Sequence, residues 1–209
     1  MKPAFRDRAA AGARLAAMLE KYRGSDAVVL AIPAGGVPVG AALARELGLS
    51  LHAAPVSKVL YPWTTESGFG AVAFDGSVWL DEEAVENSPL TKTQVEKAVG
   101  DARAKVERRT RRFGVDPSAL KNSTVILVDD GIAAGSTMRT AIAALRKLGA
   151  SRIIVAVPTA PSRSLEAMRK LADEIACPNI RGSGSFAVAD AYQEWRDLSD
   201  HEVEAMLRR

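Results

Sequence analysis

The sequence is poor in the residues that bind transition metals or form disulfides. It contains one cysteine, Cys177, and two histidines, His52 and His201, which lie far apart in the chain. A lone cysteine cannot form an internal disulfide, and neither histidine has a partner at metal-ligand spacing. A thiolate metal cage and a disulfide-stabilised fold are therefore excluded.

Long apolar runs are also missing. No segment approaches the roughly 18 consecutive apolar residues of a membrane helix. Residues 1–14 lack an apolar stretch of signal-peptide length. We therefore expect neither export nor membrane insertion, and we expect a cytoplasmic location.

Two common nucleotide-binding motifs are absent, and the charge is nearly balanced. No GxGxxG follows a predicted strand, which disfavours dinucleotide binding, and the lack of GxxxxGK[ST] excludes a P-loop. The 28 basic and 25 acidic residues give a formal net charge of +3. Such a small surplus disfavours nucleic acid as a partner.

Apolar runs that alternate with helical patterns define the fold class. The chain is 47% hydrophobic, which is ample for a core. The runs predicted as strands are 27–32, 51–56, 124–128, 152–157 and 174–177, and helical spacing occurs at 5–22, 37–47, 91–113, 137–148 and 162–172. Strands that alternate with helices predict a doubly wound, mainly parallel α/β sheet.

The most informative segment is 125–137, VILVDDGIAAGST. Asp129 and Asp130 follow a buried strand, at the end where open α/β sheets bind ligands. The small-residue loop that comes next and opens a helix consists of Gly131, Ile132, Ala133, Ala134, Gly135, Ser136 and Thr137. Its N–H groups and the helix dipole can hold an anion, while carboxylates accept hydrogen bonds from sugar hydroxyls. The segment indicates a ligand with a phosphate at one end and hydroxyls at the other. The alternative is an Asp-Asp-Gly turn before a capped helix.

At these residues the sequence resembles the type I phosphoribosyltransferase family, whose signature is an apolar strand, two acids and a small phosphate loop. It is also similar to an uncharacterised group of predicted phosphoribosyltransferases, through FRDRAAAGARLA at 5–16 and the turn at 33–39. The resemblance implies that Asp129 and Asp130 contact the ribose 2- and 3-hydroxyls of 5-phosphoribosyl-1-pyrophosphate (PRPP). It also implies that 133–137 hold the 5-phosphate. Many family members have Thr where Ala133 stands.

The resemblance places pyrophosphate on a second loop, which contains Ala34, Gly35 and Gly36. Family members bind it through backbone amides, often beside a non-proline cis peptide, which we expect at the Ala34–Gly35 bond. Ala34 replaces the arginine typical of the group and removes a bidentate anion partner. Lys58 stands where relatives keep a lysine near pyrophosphate, and a solvated lysine at a strand end is the alternative.

The resemblance also implies a mobile flap and a magnesium ion. Residues 60–68 correspond to the flap loop, and a hairpin turning at Asp75-Gly76 extends the flap to residue 80. Glu66 matches a family position, with a surface carboxylate as the alternative. Mg²⁺ would bridge pyrophosphate and ribose oxygens and needs few protein ligands, so no metal-binding residues are assigned.

We expect a phosphoribosyltransferase-like core over 1–179 and a hood with a C-terminal helix over 180–209. Phe186, Tyr192 and Trp195 can stack a planar base, although packing of the hood against the sheet is the commoner role of aromatic residues. Helix 91–113 is inserted in the core and ends in a basic cluster: Arg108, Arg109, Arg111 and Arg112. A solvated face with pairs such as Glu107–Arg111 is favoured there over nucleic-acid binding.

The function that the resemblance implies is Mg²⁺-dependent transfer of the phosphoribosyl group to a nitrogen acceptor, a nucleobase, with release of pyrophosphate. Ala34 and Ala133 favour an alternative, a PRPP- or nucleotide-sensing regulator without catalysis. Asp129, Asp130 and Lys58 favour the transferase. A contiguous basic face around 108–112 would favour the regulator. A hydrolase or phosphatase of phosphoribosyl compounds is a third, weaker hypothesis, and a homodimer is compatible with each.

Overall fold

The computed structural model describes residues 2–65, 67–182 and 187–208, and the strands in these ranges form three sheets. The strands are β1 (Val28–Ala31), β2 (Ser50–Ala53), β3 (Val56–Leu60), β4 (Gly68–Ala73), β5 (Val78–Leu80), β6 (Thr124–Val128), β7 (Arg152–Ala156), β8 (Thr159–Pro161), β9 (Glu174–Ala176) and β10 (Asn179–Arg181). The helices are α1 (Arg8–Met18), α2 (Gly36–Leu47), α3 (Glu82–Glu86), α4 (Lys92–Phe113), α5 (Ser136–Lys147), α6 (Ser162–Arg169) and α7 (Asp200–Leu207).

The central sheet is parallel throughout, in the order β2-β1-β6-β7-β9. Its strands read as continuous apolar runs because helices cover both faces. Val29, Ile126 and Ile154 pack on the face covered by α1, α2 and α7. Leu30 and Leu127 pack on the opposite face with α5 and α6. The predicted doubly wound α/β fold is confirmed.

A smaller antiparallel sheet, β3-β4-β5, lies between α5 and α4. The run 51–56, predicted as one strand, is divided between the two sheets. Pro55 has no N–H to donate, so the ladder of β2 ends and the chain enters β3 in the other sheet. The hairpin predicted at Asp75-Gly76 joins β4 to β5 and is closed by a 2.9 Å bond from the Gly76 N–H to the Ala73 carbonyl.

The C-terminal part of the chain divides into two regions. A short 3-10 turn at Val188–Ala191 and the parallel pair β8 and β10, which was not predicted, lie beyond the carboxyl ends of β7 and β9. The C-terminal helix expected within 180–209 is α7, which begins after Ser199 and has a capping box. It packs beside α2 and α4 rather than over the carboxyl edge of the sheet.

Half of the basic cluster on α4 holds α7 in place. Arg109 forms an ion pair with Asp200 at 2.7 Å, and Arg112 forms one with Glu204 at 2.9 Å. The expected Glu107–Arg111 pair does not occur among the described side chains. Since two of the four arginines are committed to α7, the cluster is not a contiguous free basic face.

The longest helix, α4, is amphipathic and richly charged. Across the parts of the chain that the structure describes, no helix is both long enough and apolar enough to cross a bilayer.

Candidate functional site

Two loops meet at the carboxyl edge of the sheet because β1 and β6 are parallel neighbours. Ala31 is in register with Val128, and the Ile32 N–H continues the ladder by donating to the Val128 carbonyl at 2.8 Å. The loop after β1 and the loop after β6 therefore leave the sheet side by side. This edge is the position at which doubly wound sheets bind ligands.

The loop after β1 turns abruptly into α2. A cis peptide bond joins Pro33 to Ala34, so the expectation of a cis bond between Ala34 and Gly35 is wrong by one residue. Gly35 already has helical backbone angles, φ −64° and ψ −32°, so the chain changes direction before this residue. The Gly36 N–H donates to the Ile32 carbonyl at 3.0 Å, which closes the turn.

The two glycines of this turn lie directly against the two carboxylates. A Cβ atom on Gly35 would overlap the Asp130 carboxylate, and one on Gly36 would lie 2.8 Å from the Val128 carbonyl oxygen and 2.9 Å from the Asp129 Cα. No side chain fits at either position without displacing the acids. The structure therefore brings together Gly35, Gly36, Asp129 and Asp130, as the sequence predicts.

Hydrogen bonds to other segments hold the loop 131–135 in place, and the helix that follows it has no side-chain cap. The Ile132 N–H donates to the Thr159 carbonyl at 2.9 Å, and the Ser164 hydroxyl donates to the Ala133 carbonyl at 2.7 Å. Gly135 has φ +90°, and it gives α5 no side-chain cap. The N–H groups of the first turn of a helix have no partner within the helix. This end of α5 therefore presents donors and a positive dipole end to an anion.

Ile132 of this loop is buried in the core, and the other side chains of the loop are small. Ala133 and Ala134 are exposed, and Ser136 and Thr137 are half-buried at the start of α5. The loop lies close to the C-terminal segment at Gly131, where a Cβ atom would lie 2.6 Å from the Val188 side chain. The loop and the C-terminal segment are thus packed against each other.

The two carboxyl groups have raised pKa values. Burial is the main cause for Asp129, and the neighbouring Asp130 charge raises its pKa further. Burial also raises the pKa of Asp130, while the nearby Arg8 guanidinium acts in the opposite direction. The Asp130 N–H donates to Asp129 Oδ1 at 2.8 Å, which fixes the two residues relative to each other. Perturbed acids in contact with an anion-binding loop are typical of a ligand site.

Lys58 lies within β3 rather than at the end of a strand, paired in register with Ala71. Its side chain is exposed. Its positive charge lowers the pKa of Asp129, so it acts on the same pair of acids. The structure therefore places it near the site as expected, although it belongs to the smaller sheet. Glu66 and Phe186, named above as candidates, lie outside the described residues.

Arg8 belongs to the site and was not predicted. Its Nε donates to Asp130 Oδ2 at 2.9 Å, and only 10% of its side chain is exposed. Arg8, Ala11 and Leu15 share the buried face of α1, a spacing that places the arginine on the apolar side of the helix. That spacing is the signal in the sequence from which its burial could have been recognised.

The aromatic residues of the C-terminal segment pack, as favoured above. Tyr192 is buried and its ring lies 5.7 Å from that of Phe5. Its hydroxyl donates to the Asp130 backbone carbonyl at 2.6 Å. Trp195 is 38% exposed and lies 5.3 Å from Tyr192. Both rings belong to the C-terminal segment that packs beside the acids.

A cavity of about 480 Å³ opens nearby, between the N-terminal segment and residues 178–180. Phe5, Arg6 and Arg14 are among its lining residues, and none of the predicted site residues is. Its lining includes neither Asp129 and Asp130 nor the two loops that leave β1 and β6. We therefore place the candidate site at the sheet edge.

The fold and this edge define a class of protein: a doubly wound α/β domain with two acids and an uncapped helix at the carboxyl edge of its sheet. Comparison with known proteins identifies the family. The Phosphoribosyl transferase domain family matches residues 5–191. The chain belongs to this family.

Relatives and a solved structure agree with this assignment. Two curated proteins of Mycobacterium tuberculosis, strains CDC 1551 and H37Rv, each bear the name "Putative phosphoribosyl transferase" and are 34% identical over 207 residues, 98% of this chain. The match covers 46% of their length, so the chain spans about half of these relatives. The crystal structure of TT1426 from Thermus thermophilus is similar with a TM-score of 0.77 and 34% identity, over 99% of this chain and 98% of that one.

Proposed function

We propose that this chain binds PRPP at the carboxyl edge of the central sheet and transfers its 5-phosphoribosyl group to a nitrogen acceptor, with release of pyrophosphate. The observation that supports the proposal most strongly is the contact between the Gly35–Gly36 turn and the pair Asp129–Asp130. In this contact, the backbone turn that would bind pyrophosphate meets the two acids that would bind the ribose hydroxyls. The loop that would bind the 5-phosphate follows these acids directly, in a member of the phosphoribosyl transferase domain family.

The acids would hold the ribose. A carboxylate has about four lone-pair sites and can accept a ribose hydroxyl while it keeps a hydrogen bond to the protein. Asp129 and Asp130 lie at the junction of the two loops, so hydroxyls on neighbouring carbons can reach one acid each. The 5-phosphate would then lie on 131–137, with the N–H groups at the start of α5 and the hydroxyls of Ser136 and Thr137 as donors.

The pyrophosphate would lie on the turn before α2. Ala34, Gly35 and Gly36 expose backbone rather than long side chains there, so phosphate oxygens can approach closely. α2 has no side-chain cap, which leaves its dipole available to an anion. Lys58 supplies a cation that acts on Asp129 and would offset the charge of the leaving group.

The reaction breaks the bond between ribose C1 and the pyrophosphate oxygen, and pyrophosphate leaves with the bonding electrons. A nitrogen lone pair of the acceptor forms the new bond to C1, and the acceptor loses a proton. The protein forms no covalent bond in this scheme. Its residues would position the ribose against the acceptor and stabilise the charge that develops on the leaving group.

The donor set is compatible with magnesium held mainly by the substrate. Asp129 and Asp130 offer the hard oxygen atoms that Mg²⁺ prefers. Within the described ranges, three or more metal-ligating side chains never cluster, so substrate oxygens and water would complete the coordination sphere. When bound, the ion would neutralise the pyrophosphate and strengthen it as a leaving group.

The hairpin that begins in β3 would act as the flap over PRPP. Trp63 in its loop is 59% exposed and stacks on Tyr61 with ring centroids 5.1 Å apart. A closing hairpin with an aromatic tip would exclude water from C1. Residues 180–198 would form the hood that selects the acceptor, and we propose a nucleobase as its class. We retain a cytoplasmic location and a homodimer as expectations.

A pyrophosphate-release assay tests the proposal. Purified protein, PRPP and Mg²⁺ are incubated with a panel of nucleobases, and Asp129→Asn serves as the inactive control. We expect release that depends on one class of base and is absent from the control. Release without any acceptor would instead indicate a hydrolase. PRPP binding without release on any base would indicate the regulator. Either result would contradict the proposed reaction.

A further inference from the structure

Arg8 occupies an unusual position for an arginine. It is the first residue of α1, and 10% of its side chain is exposed. A buried guanidinium is tolerated only where its charge and its donors are satisfied. Arg8 meets this condition through two hydrogen bonds: Nε to Asp130 Oδ2 at 2.9 Å and Nη1 to the Arg196 carbonyl at 2.8 Å.

The guanidinium also joins the acid to the C-terminal segment. Its central carbon lies 3.8 Å from the centroid of the Trp195 ring and 6.0 Å from that of Tyr192. Tyr192 in turn donates to the Asp130 carbonyl at 2.6 Å. The backbone around Phe5 is paired with the same segment: the Phe5 N–H donates to the Ala191 carbonyl and the Gln193 N–H to the Phe5 carbonyl, both at 2.9 Å. Contacts with the C-terminal segment, and the pairing of that segment with the backbone around Phe5, therefore hold Arg8 in position.

The charges that face Asp130 can be named element by element. Asp129 on the same loop shares a hydrogen bond with it, Arg8 from α1 attracts it, and the neutral Tyr192 hydroxyl bonds to its backbone. Lys58 from β3 acts on Asp129. The adjoining turn Pro33–Gly36 carries no titratable group. Among these groups, Arg8 is the cation in direct contact with the Asp130 carboxylate.

We propose that Arg8 is a positioning residue of the ribose site, which rests on the proposed function. It fixes the orientation of the Asp130 carboxylate, so that this carboxylate accepts a ribose hydroxyl, and it couples the C-terminal segment to the site. Arg8 itself need not touch the substrate. One carboxylate oxygen accepts from Arg8, and the lone pairs that remain on the group are sufficient for a hydroxyl.

This role predicts a difference between ligand fragments that a purely structural role does not have. Arg8 holds Asp130, which would bind the ribose, whereas pyrophosphate would bind the backbone of the turn before α2. Removing Arg8 should therefore weaken the binding of ribose 5-phosphate and leave the binding of pyrophosphate close to that of wild type.

The test is calorimetric titration of ribose 5-phosphate and, separately, of pyrophosphate with Mg²⁺ into the full chain at neutral pH. The proteins are wild type, Arg8→Gln, Arg8→Lys and the control Arg103→Gln, which replaces an exposed arginine of α4. The ratio of a variant's Kd to the wild-type Kd is compared between the two ligands. Far-ultraviolet circular dichroism establishes that each variant is folded.

We expect Arg8→Gln to bind ribose 5-phosphate about tenfold more weakly than wild type, and pyrophosphate about as tightly as wild type. Arg8→Lys should lose less affinity for ribose 5-phosphate, because a lysine keeps the charge but lacks the planar fork that bonds Asp130 and the Arg196 carbonyl together. Arg103→Gln should leave both affinities unchanged. Unchanged ribose 5-phosphate binding in Arg8→Gln, or an equal loss for both ligands, would overturn the inference. If only Arg8→Lys folds, the same two results in that variant would do so. Absence of binding of both ligands by wild type would instead reject the proposed function.

Discussion

The Cβ position of Gly35 coincides with the carboxylate of Asp130. The turn that would carry pyrophosphate and the acid that would carry ribose are therefore in direct contact, with no room for a side chain between them. Because β1 and β6 are in parallel register at Ala31 and Val128, this contact follows from the sheet itself. A side chain at Gly35 would therefore disturb both halves of the candidate site.

Substitution of Gly35 tests this contact. Gly35→Ala should lower stability by about 1–3 kcal/mol, since the methyl group must displace buried acids, and PRPP binding should be lost to a greater degree than stability. Urea denaturation and calorimetry measure the two effects. Gly100→Ala is the matched control: it lies in α4 with nothing near its Cβ position and should raise stability by about 0.5–1 kcal/mol. A Gly35→Ala protein with wild-type affinity would refute the close approach.

Asp129→Asn should separate binding from stability. The asparagine can still accept the hydrogen bond from the Asp130 N–H, and it removes a buried charge beside another acid. We expect stability to stay the same or rise by about 1 kcal/mol, while PRPP affinity falls about tenfold or more. Asp101→Asn, on the exposed face of α4, should change neither quantity appreciably. Unchanged PRPP affinity in folded Asp129→Asn would contradict the ribose contact.

Thr137→Val should weaken binding of plain ribose 5-phosphate by about three- to tenfold, because a neutral hydroxyl donor to the phosphate is lost. The converse change, Ala133→Thr, adds a hydroxyl to the exposed part of the loop and should strengthen binding. Thr93→Val on the surface of α4 is the control. Equal affinities for ribose 5-phosphate across all of these proteins would mean that the 5-phosphate binds elsewhere.

Cys177 should react slowly with alkylating reagents at neutral pH. Burial raises the pKa of its thiol to about 11, so the reactive thiolate is scarce until the pH approaches that value. The rate of modification by iodoacetamide should therefore increase steadily from pH 7 towards pH 10, as followed by mass spectrometry. A rate that levels off near pH 8 would show an ordinary, accessible thiol.

The sheet could be predicted from the sequence because its strands are buried on both faces. Runs such as 124–128 and 152–157 therefore contain almost only apolar residues, and their order along the chain gives the α/β class. The division of 51–56 between two sheets was missed because Pro55 sits inside an otherwise continuous run. β8 and β10 were missed because strands of three residues carry little pattern of their own.

The part of the candidate site that could be predicted is the part whose functional residues are neighbours in the chain. Asp129, Asp130 and the loop that follows them lie in one short segment, so their chemistry is visible in the sequence. Arg8 lies 122 residues from Asp130, and only the packing of α1 against the sheet edge brings them together. The roles of Arg109 and Arg112 were likewise not visible, because their partners Asp200 and Glu204 belong to a helix far away in the chain.

The most direct test of the account is calorimetric titration of PRPP, in the presence of Mg²⁺, into the wild-type chain at neutral pH. The account predicts saturable binding at one site per chain, competed by both ribose 5-phosphate and pyrophosphate, because each occupies one of the two loops. Failure of PRPP to bind would contradict it, and so would competition by only one of the two fragments.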